Sequence, residues 1–292
     1  MTLTYQSEVG KLKSVLVKNV RDAFRDERTI ASEWKVLNFL EKPDLQKALS
    51  EYQVFEGLLT KENAQLNYLP PDDTVSMDSL YCRDAAIATD AGIILCNMGK
   101  PARKPEPDAE RKKFEEMRVE ILGSIQSPGT IEGGDVAWLD TKTLAVGHTY
   151  RTNENGIRQL EKLLAPFDIE VIAVPLPHYK GPSDVFHLMS ILSPVDHDLA
   201  VVYSPLMPIK FRNELLDRGY NLLEVPDLEF ESMGCNVLAI APRECIIVQG
   251  NPITKNALEE AGATVYEYAG TEISVKGGGG PTCLTRPLLR EV

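Results

Sequence analysis

With 292 residues, 43% of them hydrophobic and 25% charged, the chain has the balance of a globular protein and enough length for one large core, which excludes extended disorder. Its net charge of −12 argues against a partner held by neutralised phosphates, so no nucleic acid is expected. No apolar run reaches the roughly 18 residues of a membrane span, and the start MTLTYQSEVGKLKSV lacks a signal-peptide core, so the expected setting is the cytoplasm, with no membrane partner.

In chain order, GKLKSVLVKN reads as a first strand, and the longer, helix-rich stretch from about residue 20 to 67 reads as an insertion or lid. From Asp84, AAIATDAGIILCN gives two short apolar stretches around a tight turn, the pattern of a β-hairpin. ERKKFEEMRVEILGSI then carries helical periodicity. GDVAWLDTKTLAVG is the next hairpin, followed by the helical TNENGIRQLEKLLAPF and the strand IEVIAVP. The pattern returns in HLMSILSPVDHDLAVVYS, PIKFRNELLDRG and YNLLEVP, and again in CNVLAIAPRECIIVQG, TKNALEEAG and TVYEYA. The unit is ββαβ and recurs about every 50 residues. No such unit buries its apolar face alone. The recurrence therefore predicts a single α/β domain over 1–292, with five units closed into a pseudo-five-fold ring rather than an open solenoid.

The five cysteines, Cys82, Cys96, Cys235, Cys245 and Cys283, contain no CxxC pair, which points to neither a disulfide framework nor a zinc site. No metal or cofactor is expected. Only Cys283 sits in a loop, at the end of KGGGGPTC, where glycines keep side chains from crowding the sulfur. The chemistry-bearing residues share one phase of the repeat, at the entrance to a hairpin: Asp84, Glu132 with Asp135, His187, and Cys283 where a further unit would begin. Singly, each has a plainer reading. A histidine in an apolar run is usually a core residue, EGGD is a turn, and an aspartate caps a strand. In a ring, however, equivalent positions converge on the axis, which puts carboxylates, an imidazole and a thiol around one cavity, the set needed for nucleophilic attack on a polarised carbon.

The motifs LYCRD, TIEGGDV, YRTN, FHLMS and GGGGPTCLT, in that order, resemble those of the guanidino-group-modifying enzymes with the five-bladed ββαβ propeller (pentein) fold. That superfamily includes arginine deiminases, dimethylarginine dimethylaminohydrolases, arginine dihydrolases and amidinotransferases. The resemblance implies a small guanidino amino acid as partner. It implies that Cys283 attacks the guanidinium carbon, that His187 protonates the departing amine and later activates water, and that Glu132 holds His187 protonated. It further implies guanidinium binding by Asp84 and Asp78, and binding of the substrate α-carboxylate by Arg103 and Arg151.

Two residues after the histidine, arginine deiminases carry an aspartate; here stands Met189, which tolerates methyl groups where a carboxylate demands N–H donors. With Asp78, it favours N-methylated arginine, hydrolysed to citrulline and methylamine or dimethylamine. Arg83 and the glycine-rich GGGGPTC resemble the deiminases instead, so hydrolysis of free arginine is the alternative, followed by amidino transfer or a non-catalytic cation-binding ring. A thiolate suits so poor an electrophile, and a cationic substrate with protonated His187 is expected to lower the thiol pKa. A homo-oligomer is compatible with the sequence.

Overall fold

A computed structural model of the chain describes residues 3–184 and 186–291. In the first sheet β1 (Lys11–Val17) and β2 (Gln65–Tyr68) run parallel. Between them lie α1 (Val20–Phe24), α2 (Glu27–Glu33) and α3 (Leu45–Leu59). The next four sheets repeat one plan: an antiparallel hairpin, a helix, and a third strand laid parallel to the second. The second sheet comprises β3 (Ala86–Thr89), β4 (Gly92–Leu95), α4 (Glu106–Glu116) and β5 (Ile121–Ser124). The third has β6 (Val136–Trp138), β7 (Thr143–His148), α5 (Glu154–Leu164) and β8 (Glu170–Pro175).

The fourth sheet has β9 (Leu192–Asp196), β10 (Leu199–Val202), α6 (Ile209–Asp217) and β11 (Asn221–Glu224). After the single-turn α7 (Asp227–Phe230) come β12 (Leu238–Ala241), β13 (Glu244–Val248), α8 (Pro252–Glu260) and β14 (Thr264–Tyr268). The last strand, β15 (Thr285–Glu291), returns to pair antiparallel with β1, so the C-terminal strand supplies the first strand of the first sheet.

These elements follow from local patterning. β3, β4 and β10 are buried at every position, as strands covered on both faces must be. In α5, Ile157, Leu160 and Leu164 bury one stripe at helical spacing, and the Asn153 side chain caps the helix by accepting the Gly156 N–H at 2.9 Å. The helical reading of ERKKFEEMRVEILGSI fails in its second half. α4 ends at Glu116, Arg118 takes a left-handed φ of 57°, and ILGS is β5.

Neighbouring sheets touch in succession: β15 meets β3, the turn before β3 meets the turn before β6, that turn meets the turn before β9, β9 meets β12, and β12 meets β1. The helical stretch packs as part of this body. α3 buries Ala48, Tyr52, Phe55 and Leu59, and its Glu51 carboxylate accepts the N–H groups of Thr271, Glu272 and Ile273 at 3.1, 2.8 and 3.3 Å. Those residues open the π-helical turn Thr271–Val275, which leads into the glycine run before Cys283. Among the described residues no helix is long and apolar enough to cross a membrane.

Candidate active site

The site residues stand just ahead of the first strand of each sheet. Asp84 lies in the short turn before β3, Glu132 and Asp135 flank Gly133–Gly134 before β6, His187 caps the turn Leu188–Ser190 before β9, and Cys283 precedes β15. The remaining sheet offers Asn236 ahead of β12, a residue absent from the sequence reading. Its offset from its strand is the same as that of Cys283 from β15 and of Asp84 from β3, which is the signal that could have found it.

His187 is held by a ring of acids. Its Nε2 lies 2.8 Å from Glu132 Oε2 and its Nδ1 3.9 Å from Asp84 Oδ1. Asp135 fixes the backbone beside it, accepting the Leu188 N–H at 3.0 Å and the Thr149 hydroxyl at 2.7 Å. Burial favours the neutral ring, but the Asp135, Asp84 and Glu132 charges and the Glu132 hydrogen bond outweigh it and raise the His187 pKa to about 9. Glu132 is fully enclosed. Burial works against its charge, yet the His187 bond and charge, with Arg151 and Arg103, carry its pKa below the usual carboxylate range. The second glycine of IEGGD is required by this crowding. A Cβ on Gly134 would collide with His187 Nδ1 and stand 2.7 Å from Asp84 Oδ1.

Cys283 is buried in a tight loop, its N–H donating to Gly280 O at 3.0 Å. Asn236 Nδ2 lies 3.6 Å from its sulfur and Thr282 Oγ1 3.8 Å, while Asn236 Oδ1 accepts both the Thr282 N–H and hydroxyl, at 3.0 and 2.9 Å. Burial, then the nearby Asp84 charge, push the thiol pKa up, against the Thr282 and Asn236 hydrogen bonds and the Arg83 charge. The resting cysteine is therefore a thiol at neutral pH.

Two chambers meet at His187 and Cys283. The inner one, about 20 Å³, is lined by Asp78, Asp84, Lys100, Arg103 and Arg151 together with those two residues. Lys100, unremarked in the sequence, donates from Nζ to Asp78 Oδ2 at 2.5 Å and to Leu37 O at 2.7 Å, and its N–H donates to Glu132 Oε1 at 2.8 Å. Of the two predicted carboxylate-binding arginines, Arg103 is largely committed inside the protein: it grips Glu106 through Nε and Nη2, pairs with Asp84, and donates to Tyr81 O at 2.8 Å. Arg151 is less tied, with Nη1 3.4 Å from each Glu132 oxygen.

Met189 faces the outer chamber, about 140 Å³, rather than the acids; its sulfur lies 3.9 Å from Arg83 Nη2, whose charge is paired with Glu8 at 2.8 Å. Asp84, Glu132 and His187 present ligand atoms within 4.8 Å of one another, a spacing that suits a metal ion as well as the hydrogen bond now joining the last two. A thiol, an imidazolium and two carboxylates around a small cavity can bind a planar cation, attack its carbon and protonate a departing nitrogen.

A family model for eukaryotic N,N dimethylarginine dimethylhydrolase matches residues 31–290. The arginine deiminase of Listeria welshimeri is 25% identical, over 97% of this chain and 80% of its own. The N(G),N(G)-dimethylarginine dimethylaminohydrolase of Pseudomonas aeruginosa is 26% identical, over 84% of this chain and 90% of its own. Among solved structures, a mutant of dimethylarginine dimethylaminohydrolase from P. aeruginosa complexed with citrulline superposes with a TM-score of 0.76 at 22% identity, covering 94% and 98% of the two chains. An amidinotransferase of the saxitoxin pathway from Microseira wollei superposes at 0.82 with 16% identity, covering 100% and 98%; at such identities the likeness speaks for the α/β fold.

Proposed function

This chain belongs to the eukaryotic N,N dimethylarginine dimethylhydrolase family, within the pentein superfamily, and from that premise we propose that it hydrolyses a guanidinium C–N bond of N-methylated arginine, releasing citrulline and methylamine or dimethylamine. The observation that carries the reading is the meeting of Cys283, His187, Asp78 and Asp84 on one small cavity. We read the successive sheet contacts and the return of β15 to β1 as a closed five-bladed propeller forming one domain, with its axis at this cavity. The insertion serves as a lid: Leu37 O receives Lys100, and the Leu40 N–H donates to Lys276 O at 2.7 Å beside the glycine run.

In this mechanism the substrate guanidinium donates to Asp84 and Asp78, taking over the role of the Lys100 ammonium at Asp78, and Arg151 receives the α-carboxylate. The bound cation offsets the Asp84 charge that disfavours the thiolate, so Cys283 loses its proton to solvent once substrate is present. The sulfur then forms a bond to the guanidinium carbon. His187, charged at neutral pH, gives its proton to the methylated nitrogen, and the C–N bond breaks with its electron pair leaving on the amine. The remaining thiouronium is attacked by water, whose proton returns to the now neutral His187; the C–S bond breaks and citrulline departs. Glu132 keeps the imidazole oriented and basic throughout.

Free arginine is the second reading, favoured by the deiminase relative that matches 97% of the chain. Separate incubation with arginine, monomethylarginine, asymmetric dimethylarginine and agmatine, with products identified by mass, decides between them. Citrulline plus a methylated amine supports the proposal. Citrulline plus ammonia from arginine alone, or ornithine, overturns it.

A further inference from the structure

The chambers that meet at the thiol differ in chemistry. The inner one is a box of charges, small beside the outer one. The outer one holds on the order of ten water-sized spheres, and its wall is built from Tyr179, Phe186, Met189, Phe230 and Met233. The aromatic rings pack on one another, Tyr179 to Phe186 at 5.3 Å and Tyr179 to Phe230 at 6.1 Å between centroids. The lining also includes Asp184 and the Lys180–Glu231 ion pair at 2.6 Å, and several of its other polar groups are engaged. The Tyr179 hydroxyl donates to Glu231 at 2.6 Å, Ser190 Oγ accepts the His187 N–H at 3.1 Å, and Asn236 is held by Thr282 and Cys283.

A second, independent feature lies in the backbone. Three residues lining this chamber, Asn38, Tyr179 and Met233, have left-handed φ values of 67°, 45° and 70°. Side chains adopt that region at a cost and keep it only where the surroundings impose it, a condition that concentrates at ligand sites.

We propose that, besides methylated arginine, the enzyme turns over arginines whose outer guanidino nitrogen carries an apolar group larger than methyl, alkyl or aryl, and that the outer chamber receives that group. The inference rests on the hydrolase reading above. His187 borders both chambers and must reach the departing nitrogen, so a substituent on that nitrogen extends past His187, away from the acids and along the Phe186 and Met189 wall. Two methyl groups leave most of that space unfilled. The bonds are those already described: the pair of the breaking C–N bond leaves with the substituted nitrogen, which takes the His187 proton and departs as the larger amine.

The test is kcat/KM for arginines bearing methyl, propyl, butyl and benzyl on one terminal nitrogen, followed by citrulline and amine mass. Each added methylene is expected to raise kcat/KM about fourfold until the chamber is filled. The Val275→Phe variant, which narrows the chamber, should lower the benzyl to methyl ratio at least tenfold. A ratio that falls with substituent size, while methylarginine still yields citrulline, overturns this inference and leaves the hydrolase reading standing. No citrulline from any of the four overturns both.

Discussion

Replacing Glu132 by Gln keeps the size of the side chain and an acceptor for His187 while removing the charge. The displacement of His187 from an ordinary 6.5 to about 9 corresponds to about 3 kcal/mol in favour of the imidazolium. Asp135 and Asp84 remain in the variant and carry much of that total. The lost Glu132 charge is in hydrogen-bond contact at 2.8 Å, and a neighbouring opposite charge shifts a titration by roughly one pH unit or more, so His187 titrates lower in the variant. His187 must be protonated to release the amine, so activity is lost as pH rises through its pKa. The basic limb of the kcat profile for dimethylarginine should move down by about one pH unit, with kcat at pH 7 reduced less than tenfold. The same displacement should appear in a carbon-13 NMR titration of the His187 ring. A basic limb that stays where it is in the wild type refutes the claim that Glu132 sustains the proton on the catalytic acid.

Met189→Asp should shift the ratio of kcat/KM values from methylated arginine toward arginine, because a carboxylate on the wall of the chamber that receives the nitrogen's substituent disfavours an apolar group there; an unchanged ratio contradicts this. Asn236→Ala strips the Thr282 N–H and hydroxyl of their buried acceptor, costing about 1–3 kcal/mol, so calorimetry should show the unfolding midpoint lowered by about 2–8 °C. The same change should reduce kcat more than KM, since the sulfur loses a donor; equal kcat argues against a positioning role. Lys100→Met removes the cation that competes for Asp78, so KM for dimethylarginine should fall severalfold in steady-state assays, and a rise would instead make Lys100 part of substrate binding.

Much of this molecule is legible in its sequence, because hairpins buried on both faces read as paired apolar runs around tight turns and their recurrence sets the phase of the site. The shared phase drew Asp84, Glu132, His187 and Cys283 together, and Asp84, His187 and Cys283 line one cavity with Glu132 directly behind. What escaped has identifiable causes. β5 reads as part of a helix because neither Gly nor Pro marks the end of α4, where Arg118 itself takes the left-handed turn. The pairing of β15 with β1 joins residues from opposite ends of the chain, beyond any local signal. Asn236 lacks the acid, base or nucleophile character that singles out a residue, though its place in the repeat is the same as theirs. Lys100 follows a turn glycine and reads as a surface charge; only the fold brings it onto Asp78. The Arg103 and Glu106 pair sits at a spacing that sequence permits, but that Glu106 would occupy the guanidinium is visible only once both are buried together.

The account rests on a bond between Cys283 and the substrate carbon. Acid-quenched turnover of asymmetric dimethylarginine, followed by intact-mass and peptide mass spectrometry, reads that bond directly. The prediction is a thiouronium adduct on the peptide carrying Cys283, formed at a rate that supports kcat and absent in Cys283→Ser, which should retain its fold and less than about one per cent of activity. Citrulline formed at the normal rate by Cys283→Ser, or an adduct on another cysteine, would contradict it.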